Sequence, residues 1–237
     1  EIPPVVEQAL AEKGLRVGAD GRMSFPPALV EDAIAQARRD VVLWGQGADT
    51  ALELRGTRVY VGSGGAAPNV IDRSTGAYRP STLRDLYDAA RMVDALEHIH
   101  FFCRSLVATD LPDPRSLDIN TAFACLAGTG KHVTVQASHP DHVAAIADLA
   151  HSVAGGRDAF AERPILSLNI NHVVPPLRFD ADSAGVMAEA ARLELPFHIN
   201  SFDQAGASSP AALAGAVVQA VAETLAGLVF AQAINPT

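Results

Sequence analysis

The stretch HVTVQAS, residues 132–138, decides the fold because polar and apolar side chains alternate along it. Successive side chains of a strand point to opposite faces, so His132, Thr134 and Gln136 would share one face and the apolar residues between them the other. The stretches LSLNIN, residues 166–171, and FHIN, residues 197–200, alternate in the same way. Strands covered by helices on both faces would instead read as continuous apolar runs. We therefore predict strands with helices on their apolar side and a polar interior on the other.

A strand, a short loop and a helix recur in this order after residue 98. The strands are predicted at His100 to Leu106, His132 to Ser138, Ile165 to His172 and Phe197 to Phe202, and the helices at Arg115 to Ala127, Asp141 to Val153, Asp182 to Leu193 and Ser209 to Ala233. This alternation predicts parallel βαβ units. With the polar interior, it indicates an α/β fold, a TIM-type (β/α) barrel. Residues 98–237 would hold the first half, four of the roughly eight units of such a barrel.

Residues 1–97 show no such repeat and predict an α+β N-terminal appendage packed on the barrel. Helices are predicted at Val5 to Lys13 and, behind Pro26-Pro27, at the helically spaced apolar residues from Leu29 to Ala37, and a third opens at Ser81 to Asp85. Between them lie short β-type runs at residues 41–44, 51–54 and 58–61, the last two joined by a tight turn at Gly56-Thr57, which predicts antiparallel hairpins. Such hairpins would supply no parallel strands.

The ends of the chain suggest a piece of a longer sequence. It begins at Glu1 with neither a signal peptide nor an initiator methionine. Half a barrel would leave the edges of its first and fourth strands open, and unpaired edges invite pairing with another chain. We therefore expect further residues of the same protein or a partner surface to cover those edges, and a homo-oligomer is one possibility.

Composition excludes several classes of protein. The chain has 237 residues and a formal net charge of -9, and its Lys and Arg residues form no long run, so nucleic acid is not an expected partner. Cys103 and Cys125 have no C-x-x-C spacing, which favours neither disulfides nor zinc and fits a reducing cytoplasm. Residues 205–222 carry no charge and approach the length of a membrane helix, yet polar residues interrupt them. A helix buried beneath a sheet explains them better, and we expect no membrane.

Candidate substrate-binding residues follow from the barrel, because active sites of such barrels lie at the carboxyl ends of the strands. We expect the polar side chains there to point into one cavity that takes a small polar or cationic ligand. Aromatic rings near the barrel mouth could hold a cationic group by cation–π contact. The candidates are Arg104, Gln136, Asn169, Asn171, His172, His198, Asn200, Phe102 and Phe202.

Other interpretations of these residues remain open. The polar groups could satisfy one another around buried water. His132 and His198 could be metal ligands, but no carboxylate shares a face with them and no H-E-x-x-H spacing occurs, so we predict no metal. No G-x-S-x-G is present to indicate a serine nucleophile, and no helix follows Gly62 to Gly65 to hold a phosphate.

Four segments, in this order, resemble the trimethylamine methyltransferase family, which includes glycine betaine methyltransferases. They are GSGGAAP at residues 62–68, DRSTGAYRPSTLRD at residues 72–85, AGASSPAALAG at residues 205–215, and AETLAG at residues 222–227 with Gln232 and Asn235-Pro236. The resemblance spans nearly the whole chain. It departs from the family at Val221-Ala222-Glu223, where the family tends to have Asn-Ala-Glu, so an amide is missing. Family members are also about twice as long.

The resemblance implies an activity, a cofactor and a partner. The expected enzyme is a methyltransferase that moves a methyl group from trimethylamine or a quaternary amine such as glycine betaine to the Co(I) corrinoid of a partner protein. The corrinoid (cobalamin) is not expected to bind this chain tightly. The position that holds pyrrolysine in the trimethylamine enzymes lies beyond Thr237, so the catalytic residue is not identified. Another TIM-barrel transferase or lyase acting on a small polar substrate, and a non-catalytic betaine-binding module, are the alternatives.

Overall fold

The structure, a computed structural model, describes residues 2–47 and 50–236. Glu1 and Thr237, the outer limits of the two predicted regions, lie outside the described residues. The elements in chain order are α1 (Pro4–Glu12), α2 (Pro27–Gln36), β1 (Val41–Leu43), β2 (Leu52–Leu54), β3 (Asn69–Ile71), β4 (Tyr78–Pro80), α3 (Leu83–Asp94), β5 (Phe101–Cys103), α4 (Pro114–Gly128), β6 (His132–Val135), α5 (Pro140–Ala154), α6 (Arg157–Glu162), β7 (Leu166–Asn171), β8 (Val173–Val174), β9 (Arg178–Phe179), α7 (Ala181–Arg192), β10 (Phe197–Asn200) and α8 (Leu213–Ile234).

The chain forms two compact units. The central unit comprises residues 39–168, and the terminal unit comprises residues 1–38 and 169–237. Strand β7 begins in the central unit and ends in the terminal unit. The main sheet has four strands in the order β10-β7-β6-β5, and β6 pairs in parallel with β5 and with β7. The chain is therefore a mixed α/β protein with a parallel sheet, as the alternation of strands and helices predicted.

The central unit confirms the predicted division of the strands into a polar and an apolar face. His132 Nε2 and Thr134 Oγ1 lie 2.8 and 3.0 Å from Ser167 Oγ, so these three buried side chains share one face. Val133, Val135, Leu166 and Leu168 are fully buried within the same strands. The polar groups satisfy one another in this part of the sheet, as buried polar groups generally do. At these positions the polar face is a hydrogen-bonded layer.

The predicted hairpin between residues 51–54 and 58–61 is wrong. β2 pairs instead with β1, in an antiparallel register that places Val42 opposite Glu53. The segment after it runs beside β5, where His100 N–H donates to the Val61 carbonyl at 2.7 Å and Gly62 forms a parallel bridge with Phe101. Gly62 is required there because a Cβ would overlap the Phe101 ring. The N-terminal region therefore supplies parallel pairing, and the edge of β5 is not open along this segment.

A second hairpin in the central unit turns around Ser74-Thr75-Gly76. β3 and β4 pair across it, with Val70 opposite Arg79. Arg79 then donates to both Asp72, at 3.3 Å, and Asp85, at 2.7 and 2.9 Å. Thr82 and Asp85 form a capping box that begins α3. The segment that carries the family resemblance at residues 72–85 thus joins a hairpin to the start of a helix.

The terminal unit is built around α8, against which α1, α2 and α7 pack. Gln232 Nε2 donates to the Ala33 carbonyl at 2.9 Å and Asn235 Nδ2 to the Ala191 carbonyl at 3.0 Å, so two residues of the resemblance fix α2 and α7 to α8. The sequence did not predict β8 and β9, a short antiparallel pair that follows β7. This pair encloses, with α1, α8 and the loop before α2, a cavity of about 450 Å³ with mainly apolar walls.

Helix α8 is only partly buried, which corrects the expectation of a helix buried beneath a sheet. Val229, Phe230 and Ala231 near its end are buried, whereas Leu213, Val217, Val218 and Val221 in its first half are exposed. By length and by its mean hydropathy of 1.8 it could cross a membrane, and 28% of that apolar window is buried. Core helices of globular proteins have the same length and hydropathy, so this observation is weak evidence for a membrane span.

Candidate functional site

The polar candidates of the central unit lie directly after β5 and β6. Arg104 Nη2 donates to Gln136 Oε1, and both side chains are half-buried. Arg104 Nε is buried and has no hydrogen-bond partner among the described residues. A buried donor without a partner is costly, and a guanidinium matches the geometry of a carboxylate with its two parallel N–H groups. The pair can therefore accept an anionic group of a ligand.

A buried carboxylate that the sequence analysis missed fixes the end of β6. Asp118 Oδ2, on α4, accepts from Ser138 N–H at 2.7 Å, from Ser138 Oγ at 2.8 Å and from His142 Nδ1 at 2.7 Å. Because Ser138 is held in this way, the chain leaves the sheet after Val135, three residues before the predicted end of the strand. Asp118 is the only charged residue between Arg115 and Lys131. A single charge in this otherwise uncharged stretch is the sequence feature that could have pointed to it.

The two other groups near β5 do not join this polar cluster. Phe102 is fully buried and pairs in register with Val133, so its ring packs in the core of the central unit. Its predicted contact with a substrate stays a prediction. Burial raises the pKa of the Cys103 thiol, although nearby Arg104 opposes the shift. A raised pKa keeps this thiol protonated at neutral pH, which makes it a poor nucleophile.

In the terminal unit, the amides predicted on β7 and β10 are brought together. Asn200 Nδ2 donates to Asn169 Oδ1, which places both amides on one face of the sheet. Asn171 is half-buried at the end of β7, and Phe202, two residues after β10, is 62% exposed. Burial lowers the pKa of the His198 imidazole, so this ring is held neutral on β10. The amide pair and its neighbours present polar, uncharged groups at this end of the strands.

His172 lies elsewhere, against α8. It is fully buried, and its Nε2 donates to the Glu223 carbonyl at 2.9 Å. Gly227, one turn further along α8, leaves room for the ring, since a Cβ there would lie 2.5 Å from His172 Nε2. Burial lowers the pKa of His172, and the Glu223 carbonyl and carboxylate oppose the shift. The imidazole is therefore neutral, and it contacts α8 and the ring of Phe179, whose centroid lies 5.5 Å away.

Glu223 is the second residue that the sequence analysis missed. Only 2% of it is exposed, and its Oε1 accepts from Leu177 N–H at 2.7 Å and Gln219 Nε2 at 3.2 Å. Its Oε2 accepts from Ser201 Oγ. The sequence feature that could have pointed to it is again a single charge, because Glu223 is the only charged residue of α8. Within residues 2–47 and 50–236, no group of three or more His, Cys, Asp or Glu is arranged to hold a metal ion.

These features define an α/β protein with a parallel sheet, and in its central unit polar groups lie where parallel strands end, the edge at which such folds bind small molecules. Residues 2–237 match the family described as Trimethylamine methyltransferase (MTTB). The chain belongs to this family, as the four segments indicated.

Three relatives show how far the similarity extends. Trimethylamine methyltransferase MttB of Desulfitobacterium hafniense (strain DSM 10664 / DCB-2) is 31% identical over 95% of this chain and 45% of its own length. MttB1 of Methanosarcina mazei is 28% identical over 98% of this chain and 48% of its own. The glycine betaine methyltransferase of Desulfitobacterium hafniense (strain Y51) is 27% identical over 87% of this chain and 43% of its own length. The chain therefore spans about half the length of the curated relatives it matches.

Proposed function

We propose that this chain is part of a methyltransferase that moves a methyl group from a methylated amine to the Co(I) corrinoid of a partner protein. The observation that carries this proposal is the family match over residues 2–237, with relatives named for trimethylamine and for glycine betaine. In the proposed fold, the strands of the main sheet are the first half of a (β/α) barrel. The polar side chains directly after β5 and β6 then belong to its substrate site.

The chemistry of the site supports methyl transfer without acid–base catalysis. The corrinoid would supply Co(I), a nucleophile that attacks the methyl carbon in line. The amine nitrogen keeps the C–N electron pair and leaves neutral, so a quaternary substrate needs no proton transfer. The hydrogen-bonded pair directly after β5 and β6 is a guanidinium and an amide, and the Cys103 thiol at the end of β5 is protonated. Such groups bind and orient a substrate and exclude water from it, which is the contribution this reaction needs from the protein.

Arg104 favours a betaine over trimethylamine as the substrate. Its guanidinium has one described side-chain partner, the neutral amide of Gln136, and a buried Nε without a partner. Trimethylamine has no carboxylate to accept paired hydrogen bonds from these donors. The carboxylate of a betaine could accept two hydrogen bonds from the guanidinium. We therefore propose Arg104, oriented by Gln136, as the carboxylate-binding residue.

Calorimetric titration of the full-length protein against a panel of methylated amines tests this proposal. The panel would contain glycine betaine, a betaine with a longer chain, choline, tetramethylammonium and trimethylamine. We expect saturable binding of at least one betaine, at least tenfold tighter than that of tetramethylammonium. Equal binding of tetramethylammonium and the betaines would contradict the role of Arg104. Tight betaine binding without methyl transfer to any corrinoid protein would instead favour a betaine-binding module.

A further inference from the structure

The carboxylate of Glu223 has no part in the reaction described above, and yet it is buried on a helix that is otherwise uncharged. Burying a carboxylate is unfavourable unless it gains hydrogen bonds or a charge partner. A methionine of similar volume would fill the same space without that cost. The feature that distinguishes Glu223 from an apolar residue is therefore its set of hydrogen bonds.

Two of those bonds reach segments that follow two strands of the main sheet. Leu177 lies in the connection between β8 and β9, after β7, and its N–H donates to Oε1 at 2.7 Å. Ser201 follows β10 directly, and its hydroxyl donates to Oε2. Leu177 has a φ of 54°, which is uncommon for a residue other than glycine. The hydrogen bond to Glu223 helps to hold it in that conformation.

A third hydrogen bond of Glu223 leads to the loop after β10. Gln219, one turn before Glu223, donates from Nε2 both to Glu223 Oε1 at 3.2 Å and to the Ser208 carbonyl at 2.9 Å. Ser208 Oγ in turn accepts from Gln204 N–H at 2.9 Å. A short chain of hydrogen bonds thus connects Glu223 to residues 201–209.

We propose that Glu223 is a positioning residue that fixes the two loops at the carboxyl ends of β7 and β10. It acts on a substrate through the residues of those loops and of the adjacent strand ends, among them Asn171 and Phe202. The kinetic part of this inference rests on the proposed methyl transfer. The structural part, that the carboxylate restrains residues 172–180 and 201–209, does not depend on any activity.

Two variants of Glu223 with nearly equal side-chain volume distinguish a role in positioning the loops from a role in filling space. Glu223→Gln keeps one oxygen to accept from Leu177, and its amide can donate to the Ser201 hydroxyl. Glu223→Met keeps the volume and removes every acceptor. Thr224→Ala is the matched control, because the Thr224 hydroxyl donates only to the Ala220 carbonyl of its own helix in the described contacts.

The first readout is hydrogen exchange in the full-length protein. We expect exchange of the Leu177 amide and of residues 201–209 to accelerate by about tenfold or more in Glu223→Met, because a buried donor loses its acceptor. Glu223→Gln and Thr224→Ala should remain within about threefold of the parent. Unchanged protection of Leu177 in Glu223→Met would overturn the inference. If that variant does not fold, Ser201→Ala and Gln219→Ala each remove a single donor, and unchanged exchange of residues 201–209 in both would overturn it.

The second readout is steady-state kinetics with the substrate that the full-length protein uses. We expect Glu223→Met to raise KM about tenfold with a smaller change in kcat, and Glu223→Gln to restore most of the loss. Faster exchange at Leu177 with unchanged KM and kcat would overturn the positioning role. If exchange accelerates as expected but the parent transfers no methyl group, the proposed function fails while the restraint of the loops stands.

Discussion

Arg104 Nη2 donates a hydrogen bond to Gln136 Oε1, which connects the residues that follow two adjacent parallel strands, β5 and β6. The bond orients the guanidinium without neutralising its charge, because the amide is neutral. Arg104 Nε is buried and has no hydrogen-bond partner in the part of the chain that the structure describes. The proposed binding of a carboxylate-bearing substrate rests on this relationship, which leads to the first prediction.

Replacing Arg104 by methionine should weaken binding of a betaine far more than that of a cation without a carboxylate. We expect the Kd for glycine betaine to rise about 10- to 100-fold, since hydrogen bonds to charged groups contribute roughly 1.5–3 kcal/mol. The Kd for tetramethylammonium should change less than about threefold. Calorimetric titration measures both, with Arg115→Met as the control for loss of an exposed arginine. Equal weakening for both ligands would show that Arg104 does not contact a carboxylate.

Replacing Asp118 by alanine should destabilise the central unit. Ser138 N–H would lose its acceptor, and His142 would lose its carboxylate partner. We expect the free energy of unfolding to fall by about 1–3 kcal/mol in chemical denaturation. Asp148→Ala on the exposed side of α5 is the control and should change it by less than about 0.5 kcal/mol. A change of similar size in both variants would refute the role assigned to Asp118.

The sequence was sufficient to predict the four βα units because each strand and each helix has its own periodicity. Alternation placed His132, Thr134 and Ser167 on one face, and the structure shows them hydrogen-bonded there. Strand ends were less predictable, since Ser138 leaves the sheet because of a bond to Asp118, a residue on another element. The path of residues 58–62 was missed for the same reason. Its β-type composition indicates an extended chain but not the strand beside which it lies.

The sheet face of a candidate site residue was predictable where the residue lies on a strand. The residues with which it forms hydrogen bonds were not predictable. The amides of Asn169 and Asn200 occupy the polar face that the alternation predicted. His172 was placed with them, yet the residue after a strand end no longer follows its alternation, and this ring packs against α8. Glu223 was noted only beside a missing asparagine. Its role depends on Leu177 and Ser201, which come close to it only in the fold.

The buried His172 should make stability depend on pH. Its pKa is lowered by burial, so the folded protein holds it neutral, whereas the unfolded chain takes up a proton below its ordinary value near 6.5. The unfolded state therefore binds more protons in this window, and stability should fall as pH decreases from about 7 to 5. In His172→Gln this dependence should be shallower. Denaturation at several pH values measures it, and the exposed His98→Gln serves as the control. Identical slopes for parent and His172→Gln would contradict the prediction.

The contribution of the α3 capping box to the free energy of unfolding should also be measurable. Asp85→Asn loses the paired bonds from Arg79 and weakens the bond to the Thr82 N–H. We expect the free energy of unfolding to fall by about 0.5–2 kcal/mol, the usual range for loss of a cap. Asp88→Asn removes an exposed pair with Arg84 on the same helix and should cost less than about 0.5 kcal/mol. Thermal denaturation of the two variants at neutral pH checks the difference, and equal losses would rule out a special role for Asp85.

The proposed activity of the full-length protein is methyl transfer from a betaine to a corrinoid. The most direct measurement incubates the protein with a betaine and a protein-bound corrinoid held as Co(I), and follows both the absorbance of the corrinoid and the demethylated amine. We predict that one equivalent of demethylated amine forms for each Co(I) consumed, and that Arg104→Met lowers kcat/KM about tenfold or more. Consumption of Co(I) without any demethylated amine, or no reaction with any methylated amine, would contradict the account.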